Sequence, residues 1–229
     1  MRYQYLLIDN DNTIMDFNAA EAKALMDVLV HHGLPTDEAT IHLYHEINDA
    51  QWKALERGET TQPKLKVERF RQLLEALQRT DLDASALAEE YAGGLGNHAD
   101  LLPGAADFIR ALHGKIKMAL VSNGVSSIQR GRLSHCPLTP LFDVIVISEE
   151  VGAAKPDPTI LHVAMEKLGC TDKSQAVMMG DSLSADIPAA INAGVDSIFF
   201  SLNGKSSDKA TYTVFNYEDA LKILTEECI

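Results

Sequence analysis

Five short apolar runs constrain the fold of this chain more than any other feature: Tyr5-Leu6-Leu7-Ile8, Met118-Ala119-Leu120-Val121, Val144-Ile145-Val146-Ile147, Ala176-Val177-Met178-Met179 and Ser197-Ile198-Phe199-Phe200. Each is too short for a buried helix, and none alternates apolar with polar residues as a strand with one wet face does. They read as parallel strands covered on both sides. Apolar residues at helical spacing over 105–112, 127–133, 158–168, 186–193 and 217–226 fall between and after them. Residues 212–214 are a weaker candidate for an edge strand. This alternation predicts a doubly wound, Rossmann-like α/β core with a parallel sheet, in which ligands gather beyond the carboxyl ends of the strands.

One stretch breaks the alternation. Residues 19–31, 41–56, 62–77 and 85–94 carry helical spacing with no strand-like run among them, separated by turn signals such as Gly33-Leu34-Pro35 and Gly58-Glu59. The expectation is an all-helical module over 16–95, inserted into a core built from 1–15 and 96–229, with a hinge at each crossing. A chain of 229 residues can bury one sizeable core and a smaller module. Its formal charge of -13 disfavours nucleic acid or an anionic membrane as partner, yet leaves room for a small anionic substrate held by local cations. Cys136, Cys170 and Cys228 are odd in number and lack metal-ligand spacing, so they read as small apolar residues in a reducing compartment. Without a basic, apolar leader or a bilayer-length run, the expected location is cytoplasmic. The expected state is a monomer or homodimer.

Polar clusters follow the strand candidates. Asp9-Asn10-Asp11-Asn12-Thr13 follows the first, Ser122-Asn123-Gly124 the second, Lys155-Pro156 lies beyond the third, and Gly180-Asp181 ends the fourth, with Asp186 opening the next helix. A carboxylate fixed at a strand end, as Asp9 would be, can attack phosphorus. In an extended segment Asp11 points the same way. It could protonate the leaving alkoxide and then, as its conjugate base, activate the hydrolytic water. Ser122 with nearby backbone N–H groups could hold phosphate oxygens, and Lys155 could neutralise nucleophile and phosphoryl group together. Asp9, Asp181 and Asp186 would form an oxygen-rich pocket suited to Mg²⁺, with Mn²⁺ the alternative. Each cluster also has a plainer reading: Asp-x-Asp and Ser-Asn-Gly as turns, Lys155 as a surface lysine, Asp186 as a helix N-cap.

With these residues in this order, the chain resembles the haloacid dehalogenase superfamily of aspartate-nucleophile phosphatases over essentially its whole length, and the helical insertion resembles its capped subfamily. The resemblance implies Asp9 as nucleophile and metal ligand, Asp11 as general acid/base that also offers its backbone carbonyl to the metal, and Asp181 as a further metal ligand. Asp186 would act behind them or through water. Ser122 and Lys155 match the phosphate-binding positions, and Asn123 beside Ser122 is a further phosphate-binding candidate. Within the superfamily the chain looks most like bacterial pyrimidine 5′-nucleotidases, through Leu102-Pro103-Gly104-Ala105, Gln129 to Leu133, Val146 to Gly152, Ile191-Asn192-Ala193-Gly194, Trp52 to Gly58 and Arg69-Phe70. That implies a phosphomonoester substrate of the UMP or dTMP type. Three positions depart from the pattern: Asn10, Asn12 and Pro188.

Asn48 and Trp52 lie four apart on a predicted helix and so share a face. They could meet a base by hydrogen bonding and stacking, or Trp52 could pack the helical module's core. The eight histidines are scattered without ligand spacing, and Met178 and Met179 read as strand core. A dehalogenase would need neither Asp11 nor the Asp181 cluster, whereas a phosphatase or phosphomutase acting on a sugar phosphate or phosphoglycolate would share both. A non-catalytic binding protein would have no use for the whole set.

Overall fold

The computed structural model describes residues 2–225. Glu226, the expected end of the last helix, and Cys228 lie outside the described residues. Six parallel strands form one sheet in the order β3-β2-β1-β4-β5-β6, with β1 Tyr5–Ile8, β2 Lys117–Ser122, β3 Val144–Ile147, β4 Ala176–Gly180, β5 Asp196–Phe200 and β6 Tyr212–Val214. The expected doubly wound α/β core is therefore present, and 212–214 is its edge strand. Helices α1 Phe17–His31, α2 Glu38–Glu56, α3 Gln62–Ala76 and α4 Ala84–Gly96 come between β1 and α5 Ala105–Leu112. The chain continues through α6 Ser126–His135, α7 Ser148–Val151, α8 Thr159–Leu168, α9 Asp186–Ala193 and α10 Tyr217–Thr225.

Continuous apolar runs make sense because both faces of the sheet are covered. Leu6, Ile8, Met118, Leu120, Val177 and Met179 join Phe108, Ile109 and Leu224 from α5 and α10 in one cluster. The alternate residues Leu7, Ala119, Val121, Ala176 and Met178 join Ile160, Leu161 and Ala190 from α8 and α9 in another. Leu7 and Leu120 are fully buried, and each such side chain stabilises the fold by about 1.5–3 kcal/mol.

Three helices of the insertion start one to three residues before the apolar spacing begins. Asp16, Asp37 and Asp83 explain this: their carboxylates accept from Ala19, Thr40 and Ser85 N–H groups and cap α1, α2 and α4. Tyr44, Phe70, Leu73 and Tyr91 centre a third hydrophobic cluster within this module, which also takes in Val125 and Ile128 from the start of α6. Residues Ser148–Val151, directly after β3, form the short helix α7. Cys136 is buried and Cys170 half-buried, both as free thiols. No helix among the described residues is long and apolar enough to cross a membrane.

Candidate active site

Parallel register brings the strand-end motifs to one edge. Ile8 pairs with Leu120 on one side and Met179 on the other, so Asp9 and Asp181 just past their strands, and Ser122 at the end of β2, lie at nearly the same level. The Asp9 N–H extends the ladder by donating to Met179 O at 2.9 Å. Lys155 arrives from the loop before α8, 1% exposed. Its Nζ lies 2.6 Å from Asp9 Oδ1, 2.7 Å from Asp186 Oδ1 and 2.9 Å from Val121 O. The amide of Asn123 braces this loop from the side: its Nδ2 donates to Lys155 O and its Oδ1 accepts from Lys155 N, both at 2.7 Å. The surface reading of Lys155 is thus ruled out by burial, and the Asn123 side chain is committed to Lys155 rather than offered to a phosphate.

Oxygen atoms of Asp9, Asp181 and Asp186 all lie within 4.8 Å of one another. Burial pushes the Asp9 and Asp181 carboxyls well above the usual carboxylate range, and their mutual repulsion with Asp186 adds to the rise, while Lys155 opposes it. Burial opposes a charged Lys155, but Asp186 and Asp9 outweigh it and hold the ammonium. Three carboxyls gathered around the Lys155 ammonium leave this cluster short of positive charge, which fits a hard divalent ion such as Mg²⁺. Asp186 does not cap α9, whose N-cap residue is Ala185. Its Oδ2 instead accepts from Ser182 N at 3.0 Å. Gly180 makes room for it, since a Cβ there would sit 2.2 Å from Asp186 Oδ2.

The chain turns just past Asp11, at Asn12, which has φ 56, and Ile14 N and Met15 N both donate to Asn10 O. Asp9 and Asp11 line one cavity of about 460 Å³. The Asp11 carboxyl has its own partners: Gln129 Nε2 donates to its Oδ2 at 2.7 Å, and Arg132 Nη1 donates to its Oδ1. Ser122 is 1% exposed and its Oγ accepts from Gly124 N at 3.0 Å. The cavity wall beside it is formed by Asn123, Gly124 and Val125.

The helical module supplies the opposite wall, including Glu21, Asn48, Trp52, Glu56 and Arg69. Asn48 is not a free amide: its Nδ2 donates to Glu21 Oε1 at 2.9 Å and its Oδ1 accepts from Arg69 Nη1 at 3.0 Å. Tyr91 Oη donates to the same Glu21 oxygen at 3.2 Å. Trp52 is half-buried, stands outside the module's hydrophobic cluster and faces the cavity. Sequence reasoning gave Glu21 no role and held Arg69, Gln129 and Arg132 only as parts of a family pattern. A signal existed for the arginines: Arg69 sits four residues from both Leu65 and Leu73, and Arg132 four from Ile128, so each interrupts a buried apolar stripe. Two of the histidines read as lacking ligand spacing, His31 and His32, both reach the Glu90 carboxylate, at 2.7 and 2.9 Å.

This arrangement has known counterparts. The pattern of the haloacid dehalogenase-like hydrolases matches residues 3–194. Pyrimidine 5′-nucleotidase PynA of Streptococcus pneumoniae is 33% identical over 233 aligned residues, covering 100% of this chain and 98% of that protein. Pyrimidine 5′-nucleotidase YjjG of Escherichia coli is 28% identical, covering 98% of this chain and 99% of that one. Among solved structures, the magnesium-bound HAD-hydrolase YfnB of Bacillus subtilis, in which interdomain movement is seen, superposes with a TM-score of 0.92 at 32% identity, covering 99% and 100% of the two chains.

Proposed function

Because the chain belongs to the haloacid dehalogenase-like hydrolases, we propose that it hydrolyses pyrimidine nucleoside monophosphates of the UMP, dUMP and dTMP type through an aspartyl phosphate on Asp9. One observation carries this reading: the Asp9 carboxylate is pinned by Lys155 at the floor of a cavity whose opposite wall presents Trp52. The names of the two nucleotidase relatives point to the same substrate class. Residues 16–95 act as the cap over a catalytic core formed by 1–15 and 96–229.

In this reading Asp9, Asp181 and the backbone carbonyl of Asp11 would hold Mg²⁺, with Asp186 behind them. Once bound, the ion neutralises the repulsion between the anionic nucleophile and the anionic substrate. Asp9 attacks phosphorus, and the P–O bond to the nucleoside breaks as Asp11 delivers its proton to the leaving oxygen. Asp11, now a carboxylate, takes a proton from the water whose oxygen attacks the aspartyl phosphate, which releases phosphate and restores Asp9. Lys155 stays beside Asp9 throughout and offsets the charge that develops there.

Comparing UMP and dTMP with sugar phosphates and phosphoglycolate, in Mg²⁺ and in chelator, tests the assignment. The expected result is Mg²⁺-dependent hydrolysis with kcat/KM highest for the pyrimidine nucleotides. Higher kcat/KM for a sugar phosphate would overturn the substrate, and equal rates in chelator would overturn the metal.

Trp52 should contribute by stacking on the base, an interaction worth about 1–3 kcal/mol where it has been measured on nucleic acids. Trp52→Ala is therefore expected to raise KM for dTMP about 5- to 150-fold while leaving hydrolysis of a small, base-free phosphomonoester nearly unchanged. An unaltered KM in a folded variant would remove Trp52 from the base site.

A further inference from the structure

Asn10 departs from the usual pattern of the first motif, and the catalytic reading gives it no task. Its side chain is 0% exposed, and its Nδ2 donates to Gln129 Oε1 at 2.6 Å. That bond fixes which way the Gln129 amide faces. With its oxygen occupied by Asn10, Gln129 must present its Nε2 to Asp11 Oδ2, where it donates at 2.7 Å. Arg132 grips the other Asp11 oxygen through Nη1, while its Nε donates to His98 O at 2.8 Å. His98 lies just after α4, so the same guanidinium ties Asp11 to the segment through which the chain returns from the helical module.

Stability alone does not account for this cradle. Arg132 is 0% exposed, and its Nη2 has no hydrogen-bond partner among the described residues; neither does Asn10 Oδ1. A buried polar group left unpaired costs about 1–3 kcal/mol, so an apolar core here would hold the fold at least as well. Gly124 adds an independent observation. A Cβ at that position would lie 2.3 Å from Gln129 Nε2, so the loop after β2 leaves the space that the amide fills.

We propose that Asn10, Gln129 and Arg132 are positioning residues that fix the Asp11 carboxyl for proton transfer to and from the reacting oxygens. The inference rests on Asp11 being the proton-transfer residue. Because the cradle acts only through Asp11, its effect must vanish when Asp11 can no longer carry a proton.

A double-mutant cycle tests this on the full-length protein in Mg²⁺, with dTMP as substrate and thermal melting to confirm folding. Gln129→Met keeps the volume and removes the donor. It is expected to lower kcat about 10- to 100-fold with KM nearly unchanged, a part of the roughly 10²- to 10⁴-fold that a positioned acid/base contributes. In an Asp11→Asn background the same substitution should cost less than about twofold. Arg132→Lys, which keeps the charge and loses the fork, should behave likewise, as should Asn10→Leu, so one unfolded variant does not end the test. Equal losses with and without Asp11 would overturn the proposal. Full activity of Asp11→Asn alone would instead overturn the role given to Asp11.

Discussion

Asp9→Asn is expected to abolish turnover, by a factor on the order of 10⁴ or more, in a protein that still folds. The substitution is nearly isosteric, so what changes is chemistry. An amide does not attack phosphorus, and the position cannot be phosphorylated. The fold has little reason to fail: Asp9 follows β1, its backbone N–H keeps the bond to Met179 O, and an amide oxygen can still accept from Lys155. Lys155 also keeps Asp186 at 2.7 Å. Steady-state rates with circular dichroism melting check both halves of the statement. A folded variant within tenfold of the parent rate would mean that another group attacks.

Lys155→Met should have the largest effect on stability. Burying a lysine is costly, and it is tolerated here because two carboxylates and the carbonyl of Val121 surround the ammonium. Once it is gone, the buried Asp9 and Asp186 carboxyls face each other without the cation between them, with Asp181 nearby. Breaking a buried ion pair from one side costs about 3–5 kcal/mol, which for a chain of this size lowers Tm by about 10 °C. The sign with pH follows from Asp9, whose carboxyl burial already pushes up to about 7. Such a group favours the folded state at low pH and loses that contribution as pH rises from the ordinary carboxylate range through about 7. Without the lysine the loss should be steeper, so the gap in Tm between variant and parent widens from pH 5 to pH 8. A gap that narrows over that range would contradict the electrostatic picture, as would an unchanged Tm. Catalysis should fall as well, since no cation then stands beside the nucleophile.

Those residues were legible in the sequence because strand geometry carries them. A short apolar run followed by a carboxylate says that the carboxylate sits at a sheet edge, and parallel register then brings Asp9, Lys155, Asp181 and Asp186 together from distant segments. What the sequence could not convey is how each side chain spends its hydrogen bonds. Asn48 and Asn123 both looked free to meet a ligand, but their amides are committed to Glu21 and Arg69 in one case and to the Lys155 backbone in the other. Asp11 was expected to share a pocket with Asp9, and both line one cavity, but the hold of Gln129 and Arg132 on its carboxyl had no signal in the sequence. The position of Trp52 was open between two readings because only packing decides which face of α2 is covered. Its place at the cavity, outside the apolar cluster, favours the ligand side. Nor could helical spacing reveal that α6 lends Val125 and Ile128 to the apolar cluster of the inserted module.

Trapping the intermediate bears most directly on the central claim that phosphate passes through Asp9. The Mg²⁺-loaded protein would be mixed with dTMP, quenched in acid within one turnover and treated with borohydride, which reduces an acyl phosphate to an alcohol. Peptide mass spectrometry is expected to find homoserine in place of Asp9 and nowhere else, with the signal absent from Asp9→Asn. Full phosphate release with no reduced aspartate at any quench time, or reduction at a different carboxylate, would contradict the account.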